Sequence, residues 1–154
     1  MARDIKMIWD SDFLKGDLEF QEGDLTREEG LTTAVLISLY TDARAREDDD
    51  IDNPNDKRGW WGDQVNESPI GSKLWQLERS KTTTETLVKT KQYILDALQW
   101  MIDDEVAQNI EVNVERFGTP GNDRLGFEVK IYQSDGNLTA LKFDDLWKGE
   151  FNEL

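Results

Sequence analysis

The chain has 154 residues, with 33 Asp and Glu against 18 Lys and Arg for a net charge of −15, and 37% hydrophobic residues that include six Trp, six Phe and three Tyr. This length fits a single domain, 1–154, and the apolar share suffices for one modest core, which excludes wholesale disorder. The charge argues against nucleic acid and anionic membranes as partners, and the lack of Cys and His excludes disulfides, thiol nucleophiles, Cys/His zinc sites and an imidazole base.

Residues 1–9 lack an apolar core followed by a small-residue cleavage pattern, and no stretch approaches the 18 or so apolar residues of a membrane span. A soluble protein outside the general secretory route is expected. The first 25 residues read as short strands and turns, with Gly16-Asp17-Leu18 recurring as Gly23-Asp24-Leu25. Thr26 and Glu29 then fit a capping box, and Leu31, Ala34, Val35, Ser38, Leu39 and Asp42 form a helical stripe. The pattern predicts a helix to about Arg46, its last turn supplied with cations by Arg44 and Arg46.

Residues 47–70 have neither helical nor strand periodicity. They hold an acidic run, 47–52, two of the three prolines, and the string Gly59-Trp60-Trp61-Gly62-Asp63. Asp48, Asp50 and Asp52 alternate as in the first half of a calcium loop, but Asn53 stands where the turn glycine belongs and Gly59 where the bidentate Glu is needed. A solvated, mobile acidic loop is the expectation. Adjacent side chains in an extended chain point to opposite sides, so Trp60 and Trp61 cannot both enter one core, and one of them should reach outward as a partner anchor.

Ser72 is placed to cap a short helix that buries Leu74 and Leu77. A second capping box, Thr82 with Glu85, opens the longest helix. There Leu87, Ile94, Leu98, Met101 and Ile102 share a face with Ala97 nearby, over about 33 Å if the helix runs to Asp103. The C-terminal third changes to period two: Ile110, Val112 and Val114, then Phe127, Val129 and Ile131, then 138–143 after the turn Ser134-Asp135-Gly136-Asn137. Residues 144–154 read as a polar tail whose Trp147 and Phe151 have no periodic element to bury them. The fold class is therefore α+β: N-terminal short strands and turns, two main helices and a short one, packed on a C-terminal antiparallel three-stranded meander.

Chemistry is thinly signalled. Thirty-three carboxylates make some acid–base pair inevitable by chance, and Glu67 and Glu78 are the least weak candidates for a glycosidase role. No glycine-rich phosphate loop precedes Lys73. From composition alone, an acidic α+β interaction domain is expected.

The ordered strings Gly23-Asp24-Leu25, then 31–45, then Gly59-Trp60-Trp61-Gly62-Asp63, then Gly71-Ser72-Lys73-Leu74-Trp75 resemble the gene product 46 family of Mu-like bacteriophages, from about residue 13 to residue 115. The resemblance implies a non-enzymatic structural protein of a contractile-tail baseplate, similar to the small wedge protein beside which sheath assembly starts. It implies no cofactor and no metal. The implied partners are other baseplate wedge proteins, the central spike, hub or tube base, and the sheath, in a virion assembled in the host cytoplasm. The wider group carries Glu-Pro-Arg after its long helix to engage a neighbouring wedge protein. This chain departs from that pattern with Asp103-Asp104-Glu105-Val106, and Trp100 and Glu105 are the residues expected to face the neighbour. Partner-interface candidates are thus Trp60, Trp61, Asp63, Trp75, Trp100, Glu105 and Trp147. The alternatives are a peptidoglycan-cleaving tail hydrolase and a free inhibitory protein that masks a basic surface.

Overall fold

The computed structural model describes residues 4–10, 15–18, 20–21, 24–25, 27–28, 31–65, 67, 69–119, 121–148 and 151–153. The Thr26–Glu29 capping box and Gly23 lie outside the described residues. The N-terminal segment forms three antiparallel ribbons: β1 (Asp4–Ile5) with β6 (Arg27–Glu28), β2 (Met7–Asp10) with β3 (Lys15–Leu18), and β4 (Phe20–Gln21) with β5 (Asp24–Leu25). One buried hydroxyl fastens this region to the first helix. Thr33 Oγ1 accepts from the Met7 amide at 3.1 Å and donates to the Ile5 carbonyl at 3.2 Å.

Helix α1 spans Thr32–Tyr40. Val35, Ser38 and Leu39 are buried as the stripe predicts, and so are Thr32, Thr33 and Leu36, so the helix is covered on more than one side. It does not continue to Arg46. From Thr41 the chain is extended, because its backbone bonds to Ser72: the Ser72 amide donates to the Thr41 carbonyl and the Ala43 amide to the Ser72 carbonyl, both at 2.9 Å, while Asp42 and Ser72 form a parallel bridge. The Ser72 hydroxyl donates to the Leu39 carbonyl at 2.6 Å, satisfying an orphan acceptor at the helix end. Gly71, at φ +109°, makes this close approach possible, since a Cβ there would collide with the Thr41 carbonyl oxygen. Arg44 and Arg46 therefore lie beyond the helix and do not serve its macrodipole.

The short helix after Ser72 is a 3₁₀ turn, Leu74–Leu77, that buries Leu74 and Leu77. Helix α2 runs Thr84–Asp103, 20 residues, or about 30 Å. Its cap is Thr83, one residue later than predicted. The Thr83 carbonyl accepts the first helical bond from Leu87, and its hydroxyl accepts from the Thr86 amide at 3.3 Å. Glu85 instead pairs with Lys89 one turn on. The buried face is Thr86, Thr90, Ile94, Ala97, Leu98 and Met101. Thr90 is tolerated there because its hydroxyl donates to the Thr86 carbonyl at 2.7 Å.

The C-terminal strands β7 (Ala107–Thr119), β8 (Asn122–Gln133) and β9 (Leu138–Phe143) form the antiparallel meander. Gly136, at φ +88°, turns the chain between β8 and β9. A fourth strand, β10 (Phe151–Glu153), adds to the far edge beside β9, where the sequence suggests only a polar tail. Phe151 stands opposite Phe143, their rings 5.5 Å apart. Three residues are too few for alternation to show. On the inner face Val112, Val129 and Leu141 stand in one row and Phe127 and Phe143 in the next, the last two stacked at 4.3 Å. Against them pack Ile94, Leu98 and Met101 of α2 and Val35, Leu36 and Leu39 of α1. This is the α+β arrangement read from the sequence, and each fully buried aliphatic side chain in it contributes about 1.5–3 kcal/mol.

Candidate partner-binding surface

Residues 47–70 leave and return to the frame just described. The acidic run is not free of it. Asp49 accepts from the Arg46 amide at 2.8 Å, Lys73 Nζ at 2.7 Å and Gln76 Nε2 at 3.0 Å. Burial opposes ionisation of this carboxyl, yet the hydrogen bonds from Lys73, Arg46 and Gln76 outweigh it and bring the pKa down to about 2. Lys57 pairs with Glu47, and the Ala45 amide donates to the Lys57 carbonyl at 2.8 Å. The loop is thus tied to the body at its base, while Asp48 and Asp50 remain in solvent and Asp52, also exposed, pairs with Arg79 at 3.4 Å.

Arg58 locks the next stretch. Its guanidinium lies 4.5 Å from the centre of the Trp75 ring, 2.9 Å from the Asp42 carboxylate and 3.9 Å from Glu78. Trp75 in turn donates its indole N–H to the Ala43 carbonyl at 2.8 Å. Trp75 is half-buried, and its polar handle is engaged inward.

The two neighbouring indoles lie beside each other, not on opposite sides. Trp60 has extended backbone, but Trp61 begins a 3₁₀ turn, Trp61–Gln64, so the premise of a continuous extended chain fails. Their rings are 5.4 Å apart and inclined by 48°. Both face outward, Trp60 at 38% exposure and Trp61 at 77%, with Val65 exposed close by in sequence. Gly62 explains the pose: it is buried under the Trp60 ring, and a Cβ there would collide with the indole. Asp63 closes the tip by accepting from the Ile70 amide at 3.0 Å. Its other carboxylate oxygen is buried and has no hydrogen-bond partner among the described residues.

Behind the tip runs a groove of about 470 Å³ between α1, α2 and residues 69–71. Ile37 of α1, Trp60, Ile70 and Trp100 of α2 supply its apolar surface, and Asp103 and Asp104 stand in its lining at the C-terminal end of α2. Trp100 donates its indole N–H to Ser38 Oγ at 3.0 Å, which itself donates to the Ala34 carbonyl at 2.8 Å. The ring therefore offers the groove only apolar surface. Of the sequence candidates, Trp60 and Trp100 meet here, with Trp61 and Asp63 next to Trp60 in the chain. Trp75, Glu105 and Trp147 do not line it. Glu105 is exposed at φ +60°, its carbonyl accepting from Ser134 Oγ at 2.5 Å, and Trp147 is 37% exposed beyond β9.

Sequence reasoning missed Ile37, Ile70, Asp103 and Asp104 as surface-forming residues. Two signals were available. Ile37 is an apolar residue off the predicted stripe of its helix, and α2 ends in carboxylates with no basic residue in its last turn, against the macrodipole. Glu67 and Glu78, the acid–base candidates, are both exposed.

Residues 31–138, which include both helices, the tip and most of the sheet, match the family model described as phage protein GP46. Over 147 residues the chain is 40% identical to baseplate protein gp46 of Escherichia phage Mu, covering 95% of this chain and 98% of that protein. It is 34% identical over 145 residues to the Mu-like prophage FluMu protein gp46 of Haemophilus influenzae, covering 94% of this chain and 97% of the relative. With the family model spanning most of the chain and these relatives matched nearly end to end, the chain belongs to the phage GP46 family.

Proposed function

We propose that this chain, acting as one unit over 1–154, is a non-enzymatic structural component of a contractile-tail baseplate in a Mu-like phage or prophage. In this reading it links wedge proteins to the central spike, hub or tube base and to the start of the sheath, in a virion assembled in the host cytoplasm. The Mu relative, named a baseplate protein, supplies the coarse assignment. The observation that carries the finer one is the pair of outward indoles, Trp60 and Trp61, set on a tip that Asp63 closes through the Ile70 amide. Trp is the residue most often found to dominate protein interfaces, and truncating such an anchor costs about 2–4 kcal/mol of binding, against roughly 0–1 for an exposed ion pair.

Trp61 is the primary anchor in this reading and Trp60 the wall beside it. Trp100, Glu105 and Trp147 extend the contacts to further patches, while Asp63 and Trp75 hold the tip in its shape. No nucleic acid, membrane or cofactor is required. The test is complementation of a prophage lacking the gene with the Trp61→Ala chain. Tails should fail to incorporate the variant although the free chain keeps its wild-type circular dichroism and urea midpoint. Incorporation at wild-type level would remove Trp61 as the anchor, and an unfolded variant would show that its ring belongs to the core.

A further inference from the structure

The groove behind the tip has a chemistry of its own, distinct from the outward face of Trp61. Its walls are Ile37, Trp60, Ile70 and Trp100, and both indoles are placed by contacts within the fold. At one end stand Asp103 and Asp104. Asp103 accepts from the neutral Gln99 amide at 3.0 Å, and neither carboxylate has a cation within ion-pair distance among the described residues. The last turn of α2 holds no basic residue, so the helix's negative end and these carboxylates add to one another without local compensation. The net charge of the whole chain, −15, has the same sign and deepens the potential. An occupant must therefore bring bulky apolar groups and positive charge together.

We propose that this groove receives a segment of another protein in which a bulky aliphatic or aromatic side chain is flanked by arginine. The apolar side chain enters between Ile37 and the indoles, and the guanidinium reaches Asp103 and Asp104. Arginine suits the place better than lysine, because it stacks on aromatic faces while engaging a carboxylate. Arg58 on Trp75 already does both within this fold. A second copy of the chain is disfavoured, since it would bring another −15 to an acidic groove. The assignment names the chemistry of one partner within the baseplate reading and rests on that reading only for the partner's whereabouts.

The test titrates the full-length chain, labelled at its indole nitrogens, with a short synthetic peptide alternating leucine and arginine. Matched peptides carry glutamate in place of arginine or glycine in place of leucine. The leucine–arginine peptide should shift the Trp60 and Trp100 indole resonances, and the other two should not. Ile37→Glu, at a position already partly in solvent, should weaken binding by roughly tenfold or more, and the Asp103→Asn, Asp104→Asn pair by roughly threefold or more with a shallower salt dependence. Equal binding of the glutamate peptide, shifts confined to other indoles, no shift at all, or self-association of the free chain that Ile37→Glu abolishes would each overturn the proposal. Complementation separates this claim from the larger one. Tails that incorporate both groove variants at wild-type level would remove the groove and leave the baseplate assignment standing. A chain missing from purified tails but still binding the peptide would do the reverse.

Discussion

Two regions of this molecule are held in opposite ways. Between α2 and the sheet, apolar packing does the holding: Leu98, Met101, Val129, Ile131 and Leu141 are fully buried, and their neighbours come from both helices and three strands. Across 41–73 the chain is fixed by polar ties from Asp49, Arg58, Asp63 and Ser72 to backbone and side chains, and its largest apolar groups, Trp60 and Trp61, face outward. A segment positioned by polar bonds can leave its indoles partly uncovered, even though the Trp60 ring also lies over Gly62. It can present them on a rigid mount, so little ordering entropy remains to be lost when a partner covers them.

Perturbing each region in turn should sharpen the contrast. The largest effect belongs to the core. Leu98→Ala should lower stability by about 2–5 kcal/mol in urea unfolding, because the surrounding packing relaxes only partly around the cavity.

Asp49→Asn comes next, at about 1–2 kcal/mol near pH 7. The folded pKa of about 2 lies below the ordinary Asp value near 3.9, so the unfolded chain binds the proton more readily. The stabilisation is complete above the ordinary value and is lost as pH falls from about 4 to about 2. The gap in urea midpoint between wild type and variant should therefore narrow from pH 7 to pH 3. A constant gap would mean that Asp49 acts through something other than its charge.

Ser72→Ala should cost about 1 kcal/mol by leaving the Leu39 carbonyl without its buried donor. Trp61→Ala should have the smallest effect on stability, below about 1 kcal/mol, since it removes one aromatic contact from a ring already in solvent. The same substitution is expected to have the largest effect on incorporation into tails. A loss of several kcal/mol of fold stability at Trp61 would erase the distinction between the two regions.

The ease with which each part could be read from the sequence follows the same division. The strands were visible because one face of each is buried, so Val112 and Val129 alternate with charged neighbours. Helix α2 was visible because Ile94, Leu98 and Met101 repeat at helical spacing, although its cap moved from Thr82 to Thr83. Where polar contacts between distant residues decide the conformation, pattern failed. Nothing local to 41–46 reveals that Ser72, brought close by Gly71, will pair with it and end α1 at Tyr40. Similarly, Gly62 reads as a turn residue until the Trp60 ring is found lying on it. The tryptophan string marked a segment whose indoles do reach solvent, but the assumption of extended chain put the two rings on opposite sides. The groove needed three separated segments brought together, and only Trp60 and Trp100 among its walls were anticipated.

The central claim is that the outward indoles are covered by another chain on assembly. Hydroxyl-radical footprinting, read by tandem mass spectrometry at Trp61, compares the free chain with purified tails. The account predicts rapid oxidation of Trp61 in the free chain and strong protection in the tail, with Val65 following the same trend. Equal oxidation of Trp61 in both states, in tails shown to contain the chain, would contradict it.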